Sequence, residues 1–199
     1  MSPEHNSTRH DRAGVARTAL SLLDEVGLSD LSMRRIAAKL DVQPSALYWH
    51  FSSKQELLAE LADRITATIP HDDADVLTTA RSIRDALFRH RDGAELVLST
   101  YALQLGSSSA QSALEASLHR RGATHAEERS VALLHFILGH ATLVQQRMHA
   151  DSHGALPSAD TVDVTAGLDR VFDLGVTALS GETAPAGLSA SRPPRRDRA

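Results

Sequence analysis

The sequence predicts an all-α protein with an N-terminal helix-turn-helix DNA-binding domain, followed by a second helical domain. Three observations predict it. Apolar residues recur at helical spacing along most of the 199 residues, while strand-like alternation is nearly absent. Met33 to His50 has the form of two short helices around a tight turn. Three of the seven aromatic residues (Tyr48, Trp49 and Phe51) crowd into the end of that segment.

The elements follow in order. Residues 1–8 predict a disordered N-terminus, and residues 9–70 a DNA-binding domain with a connector helix. A first helix spans Arg9 to Val26, with Ala16, Ala19, Leu20, Leu23 and Val26 on one face, and Gly27 ends it. Ser32 is the N-cap of a second helix that buries Ile36, Ala37 and Leu40. Asp41-Val42 makes the turn, since Asp tolerates a positive φ better than most residues. A third helix runs from about Gln43 to His50, with Pro44 in its first turn. Ser53-Lys54-Gln55-Glu56 reads as a capping box for a fourth helix, striped by Leu57, Leu58, Leu61 and Ile65 and stopped by Pro70.

The acidic segment His71 to Asp75 predicts a linker, and residues 71–180 a regulatory and dimerisation domain. Its helices fall at Val76 to His90, after Asp92-Gly93, after the Gly106 to Ser109 turn, at Ala126 to His149, and at Thr161 to Leu179. The long one would reach about 35 Å. A loop with Gly154 and Pro157 precedes the last helix. Residues 181–199, rich in proline and arginine, predict a disordered basic tail.

Composition narrows the function. No cysteine is present, which removes disulfides and thiolate metal sites and fits a reducing cytoplasm. No apolar run approaches the roughly 20 residues that would span a membrane. A net charge of −4 means that DNA binding would need a local positive patch. Eleven histidines invite a metal reading, but no metalloprotease or Cys–His spacing occurs. His135 and His140 are five apart, the wrong interval for one helical face. No phosphate-cradling glycine loop or nucleophile elbow is present, so no metal, cofactor or catalytic residue is predicted.

The chemistry concentrates in the helix-turn-helix. Pro44, Ser45 and Ala46 stand at the start of its second helix, where small side chains allow close approach to base edges. Arg34 can reach a guanine through a bidentate contact. Tyr48, His50 and Lys54 are placed to grip phosphates. Adjacent residues cannot both face inward on a helix, so Tyr48 is expected exposed, Phe51 in the core and Trp49 partly so.

Leu47-Tyr48-Trp49-His50-Phe51, followed by Ser53-Lys54 and a Leu-rich helix, resembles the recognition helix and connector of the TetR family. Arg34-Arg35-Ile36-Ala37-Ala38-Lys39-Leu40 resembles the matching supporting helix. His90-Arg91-Asp92-Gly93-Ala94, His135 to Gly139 and Phe172 to Leu179 are similar to segments of its tetracycline-repressor branch. The resemblance implies base contacts by Arg34, Pro44, Ser45 and Ala46, and backbone contacts by Tyr48, Trp49, His50 and Lys54. It also implies an operator of double-stranded DNA, a homodimer and a small-molecule inducer held in the second domain. Leu87, Leu96, Val97, Thr100, Gln104, His135 and Leu138 are the candidate ligand lining.

The departures matter as well. Val97 stands where that branch has a histidine, Leu143 lies at or near the place of an acidic residue, and Pro70 near that of a polar one. Losing these drug- and magnesium-binding groups implies a less polar inducer. Three readings compete: a ligand-released repressor, a DNA-binding regulator without a small-molecule signal, and a small helical enzyme using the histidines. The apolar surplus on the last two long helices points to pairing with a second copy.

Overall fold

The computed structural model describes residues 11–69, 75–152 and 164–181. Among these, all regular structure is helical. The N-terminal part holds α1 (Arg12–Val26), α2 (Met33–Leu40), α3 (Pro44–Leu47) and α4 (Lys54–Thr66). The rest holds α5 (Val76–Phe88), α6 (Gly93–Ala102), α7 (Ser109–Arg120), α8 (Ala126–Ser152) and α9 (Val164–Ser180). The expected disordered N-terminus, the linker before Asp75, the loop around Gly154 and the basic tail after Gly181 lie outside the described residues.

Local chemistry sets the boundaries. Asp11, Ser32, Ser53 and Asp75 each stand in extended backbone, and each side chain accepts a backbone N–H of the first helical turn. Asp41 ends α2 in the left-handed conformation, with φ 57° and ψ 45°. Its N–H and that of Val42 then close onto the last carbonyls of the helix.

Two expected features differ in detail. Regular helix in α3 stops at Leu47, and Tyr48 to His50 continue as a turn closed by His50 N–H and Phe51 N–H, both donating to the Leu47 carbonyl at 3.0 Å. The capping box is shifted by one residue: Glu56 reaches back to the N–H and hydroxyl of Ser52, both at 2.7 Å, rather than to the Ser53 N–H.

One continuous apolar core runs through both parts. Val15, Ala19, Leu23, Ile36, Leu47, Phe51, Leu57 and Leu61 fill its N-terminal end. Ile83, Leu87, Leu96, Leu114, Leu133, Leu134, Ile137, Leu138 and Phe172 fill the other. α4 joins them, packing on α1 at one side and on α5, α6 and α7 at the other. α8 is the spine of the second part and touches α5, α6, α7 and α9.

Candidate nucleic-acid interface

The reading head is built on small residues. Ala37 is fully buried in α2, which lets α3 cross closely, and Leu47 is the buried anchor of α3. That arrangement leaves Ser45 exposed and Pro44 and Ala46 half-buried at the start of the second helix. Tyr48 is 52% exposed and Trp49 is 89% exposed, while Phe51 is fully buried. Trp49 is therefore not partly in the core, as the sequence suggested. The turn after Leu47 aims both Tyr48 and Trp49 outward, and Phe51 alone fills the space beneath.

Arg34 lies exposed on α2, and Lys54 and His50 are half-buried. Neither Arg34 nor Lys54 forms an ion pair with a described residue, whereas Arg35 pairs with Asp30 and Lys39 with Glu25. So neither cation is neutralised by a partner among the described residues. Just behind them, the Glu56 carboxyl is pushed down to about 2. Its acceptance of the Ser52 hydroxyl is the first cause, and the Arg12 guanidinium and the Ser52 N–H add to it.

The second part meets the reading head at a polar seam that sequence reasoning missed. The turn between α5 and α6 presses against the end of α1. The Asp24 carboxylate accepts the Arg91 N–H at 3.0 Å and pairs with His90 at 3.1 Å. The Arg91 guanidinium donates to the Glu25 carbonyl at 3.2 Å. The Asp92 carboxylate accepts the Leu28 N–H at 2.8 Å and faces His149 of α8 at 3.2 Å. Gly27, with φ 80°, leaves room for that carboxylate, because a Cβ there would come within 2.8 Å of its oxygen. From α8, the buried Gln145 side chain accepts the Ala94 N–H and donates to the His90 carbonyl. An Asp-Gly pair between two helices was the signal available in sequence, but nothing local shows what Asp92 meets.

A cleft of about 20 Å³ opens between α4, α6, α7 and α8. Val97 and Thr100 line it, with Ala62, Asp63, Tyr101 and Gln111. The remaining candidate lining residues sit elsewhere: Leu87, Leu96 and Leu138 are closed in the core, and Gln104 and His135 are exposed. Asp63 went unnoticed in sequence, although a charged residue between Ala62 and Arg64 on the inner side of a Leu-rich helix was a signal. Its carboxylate accepts the Ser107 N–H and so ties the loop after α6 to α4. Among the described residues, no cluster of three metal-ligating side chains occurs, and no helix is long and apolar enough to cross a membrane.

Residues 11–61, the whole reading head, match the family described as bacterial regulatory proteins of the tetR family. The class C tetracycline repressor protein of Escherichia coli is 34% identical over 198 residues, covering 85% of this chain and 89% of the repressor. The chain belongs to the TetR family. Among solved structures, this TetR-family protein is similar to BioQ of Mycobacterium smegmatis, with a TM-score of 0.74 and 34% identity across 86% of this chain and 98% of that one. It is also similar to BioQ bound to its natural double-stranded DNA operator, with a TM-score of 0.70 and 30% identity over 86% and 98%. The TetR-family match runs through both parts of the molecule.

Proposed function

We propose that this TetR-family protein is a transcriptional repressor that binds a roughly palindromic operator as a homodimer and is released by a small, largely apolar ligand. The observation that carries the proposal is the exposed turn Tyr48–Trp49, with Arg34 and Lys54 free of ion pairs among the described residues, in a chain whose relative BioQ has been solved on operator DNA. Arg34, Pro44, Ser45 and Ala46 would read bases, and Tyr48, Trp49, His50 and Lys54 would hold the backbone. Exposed apolar residues on α8 and α9, among them Met148 at 57% and Val171 at 52%, support pairing with a second copy. Two copies would set two recognition elements in successive major grooves. The protein acts by binding rather than by catalysis, and it acts in the cytoplasm.

The ligand site centres on Val97 and Thr100, with Ala62, Tyr101 and Leu134 beside them in the cleft. α4 carries the signal, since one face of it lines the cleft and its first residue is Lys54 of the reading head. A ligand that opens the cleft would move α4 and change the spacing of the two heads, given different affinities for the two arrangements. A second reading, regulation without a small molecule, draws support from the cleft itself, whose volume suits a single water.

Fluorescence anisotropy with the duplex flanking the protein's own reading frame, against a scrambled duplex at about 150 mM salt, tests the proposal. A preference of about a thousandfold is expected. Equal, weak binding to that duplex, to the scrambled one and to every duplex from an unbiased operator selection would refute it. Operator release by a candidate compound then separates the two modes of regulation.

A further inference from the structure

The turn that carries Tyr48 and Trp49 is held by a residue of another helix. Arg12, at the start of α1, donates from Nη1 to the His50 carbonyl at 2.6 Å and to Glu56 at 2.8 Å. Its Nε donates to Glu60 at 3.4 Å, and its guanidinium carbon lies 4.2 Å above the centre of the Phe51 ring. One planar group thus fixes the end of the recognition element, the buried aromatic beneath it and the first turn of α4. Between Phe51 and Lys54 the chain has no regular helical bonding, and Ser52 is tied there to Glu56, the carboxylate that Arg12 also holds.

We propose that Arg12 is the positioning residue for DNA-backbone recognition: it does not grip phosphate itself but sets the turn from which Tyr48, Trp49, His50 and Lys54 do so. The inference rests on the DNA-reading function proposed above. Two features favour positioning over direct contact. Arg12 is engaged at both Nη1 and Nε and stacked on Phe51, so its charge is spent on Glu56 and Glu60. The task also needs a flat, forked donor, whereas a lysine ammonium is a point charge that cannot stack and bridge in the same way. Removing Arg12 would in addition take the cation away from Glu56, while Glu60 keeps Arg64 at 2.9 Å.

The single tryptophan makes a direct reporter, because Trp49 lies in this turn and nowhere else. The test uses the full-length chain and its Arg12→Ala and Arg12→Lys variants. Operator affinity is measured against salt concentration, together with the time-resolved anisotropy of Trp49 in the free protein and thermal unfolding. The expected result is about tenfold weaker operator binding for Arg12→Ala, faster depolarisation of Trp49 while the protein remains folded, and only partial recovery in Arg12→Lys. Binding within twofold of the unsubstituted protein overturns the proposal. So does full recovery by lysine, which would make the role electrostatic. A loss of affinity with a salt slope shallower by about one and unchanged Trp49 motion also overturns it, because Arg12 would then be a phosphate contact. A lower unfolding temperature with both other readouts unchanged would reduce Arg12 to a structural part. If Arg12→Ala does not fold, Arg12→Lys carries the same readouts. If the unsubstituted protein shows no preference for any operator, the DNA-reading function fails, while Trp49 motion in the free variants still decides whether Arg12 fixes the turn.

Discussion

At the scale of single residues, Asp41 pays for the tight turn of the reading head. It is one of four described non-glycine residues with positive φ, and it places a carboxylate at the negative end of α2. Asp41→Gly should stabilise the protein by about 1 kcal/mol, visible as a higher thermal midpoint with operator affinity unchanged. Tyr48→Ala and Lys54→Ala should weaken binding to all duplexes alike, while Arg34→Ala should relax preference at one base pair by about 1–3 kcal/mol. Competition binding against single-site operator variants distinguishes the two behaviours. Two groups set opposite ends of the acid response. His140, packed on Phe172 and Phe136, has its proton affinity lowered by burial and by Arg84. The unfolded chain therefore takes up that proton first, and stability falls as pH drops below about 6.5. Glu56 acts lower: its folded value is about 2 against an ordinary 4.5, so its contribution is complete above 4.5 and disappears as pH approaches 2. Urea titrations across pH should show the upper step vanish in His140→Gln and the lower one shrink in Glu56→Gln, since Glu25 and Asp75 are also held below their ordinary values.

At the scale of elements, caps and stripes were legible in the sequence because each depends on residues a few positions apart. Ser32, Asp41 and Ser53 declare the edges of α2 and α4 by themselves. Trp49 was less legible, since its outward direction depends on where α3 gives way to a turn, and Phe51, two residues on, settles that by taking the core position. The seam was not legible at all: Asp24 meets Arg91, Leu28 meets Asp92 and Gln145 meets Ala94 across 67, 64 and 51 residues. The cleft was half legible, because Val97 is marked by the resemblance and Thr100 by its place as a polar residue among apolar ones, while Asp63 and Gln111 depend on how α4 and α7 are rotated. Gln145 shows what such distant pairing contributes. Gln145→Leu would leave the Ala94 N–H buried without a partner, while the His90 carbonyl keeps the Gly93 N–H, at a cost of about 1–3 kcal/mol. Chemical denaturation would measure it, and hydrogen exchange at Ala94 should speed up with it.

At the scale of the whole molecule, two copies are expected to pair through α8 and α9, with the reading heads presented on one side. Sedimentation should give twice the monomer mass, and footprinting should protect two half-sites about 34–36 Å apart. Replacing Val171 and Met148 together by glutamate should yield a folded monomer that protects neither. The Gly27–Asp92 contact has a further consequence, for domain exchange. Grafting a foreign reading head onto this regulatory body looks simple, since residues 11–61 match the family by themselves. Yet the body offers the Asp92 carboxylate to a backbone N–H at position 28 and tolerates no Cβ at position 27. A chimaera whose donor lacks that glycine would hold its graft at an altered angle, with the two half-sites out of step. Compatibility between this body and a foreign head would then be decided by one glycine and the carboxylate it faces.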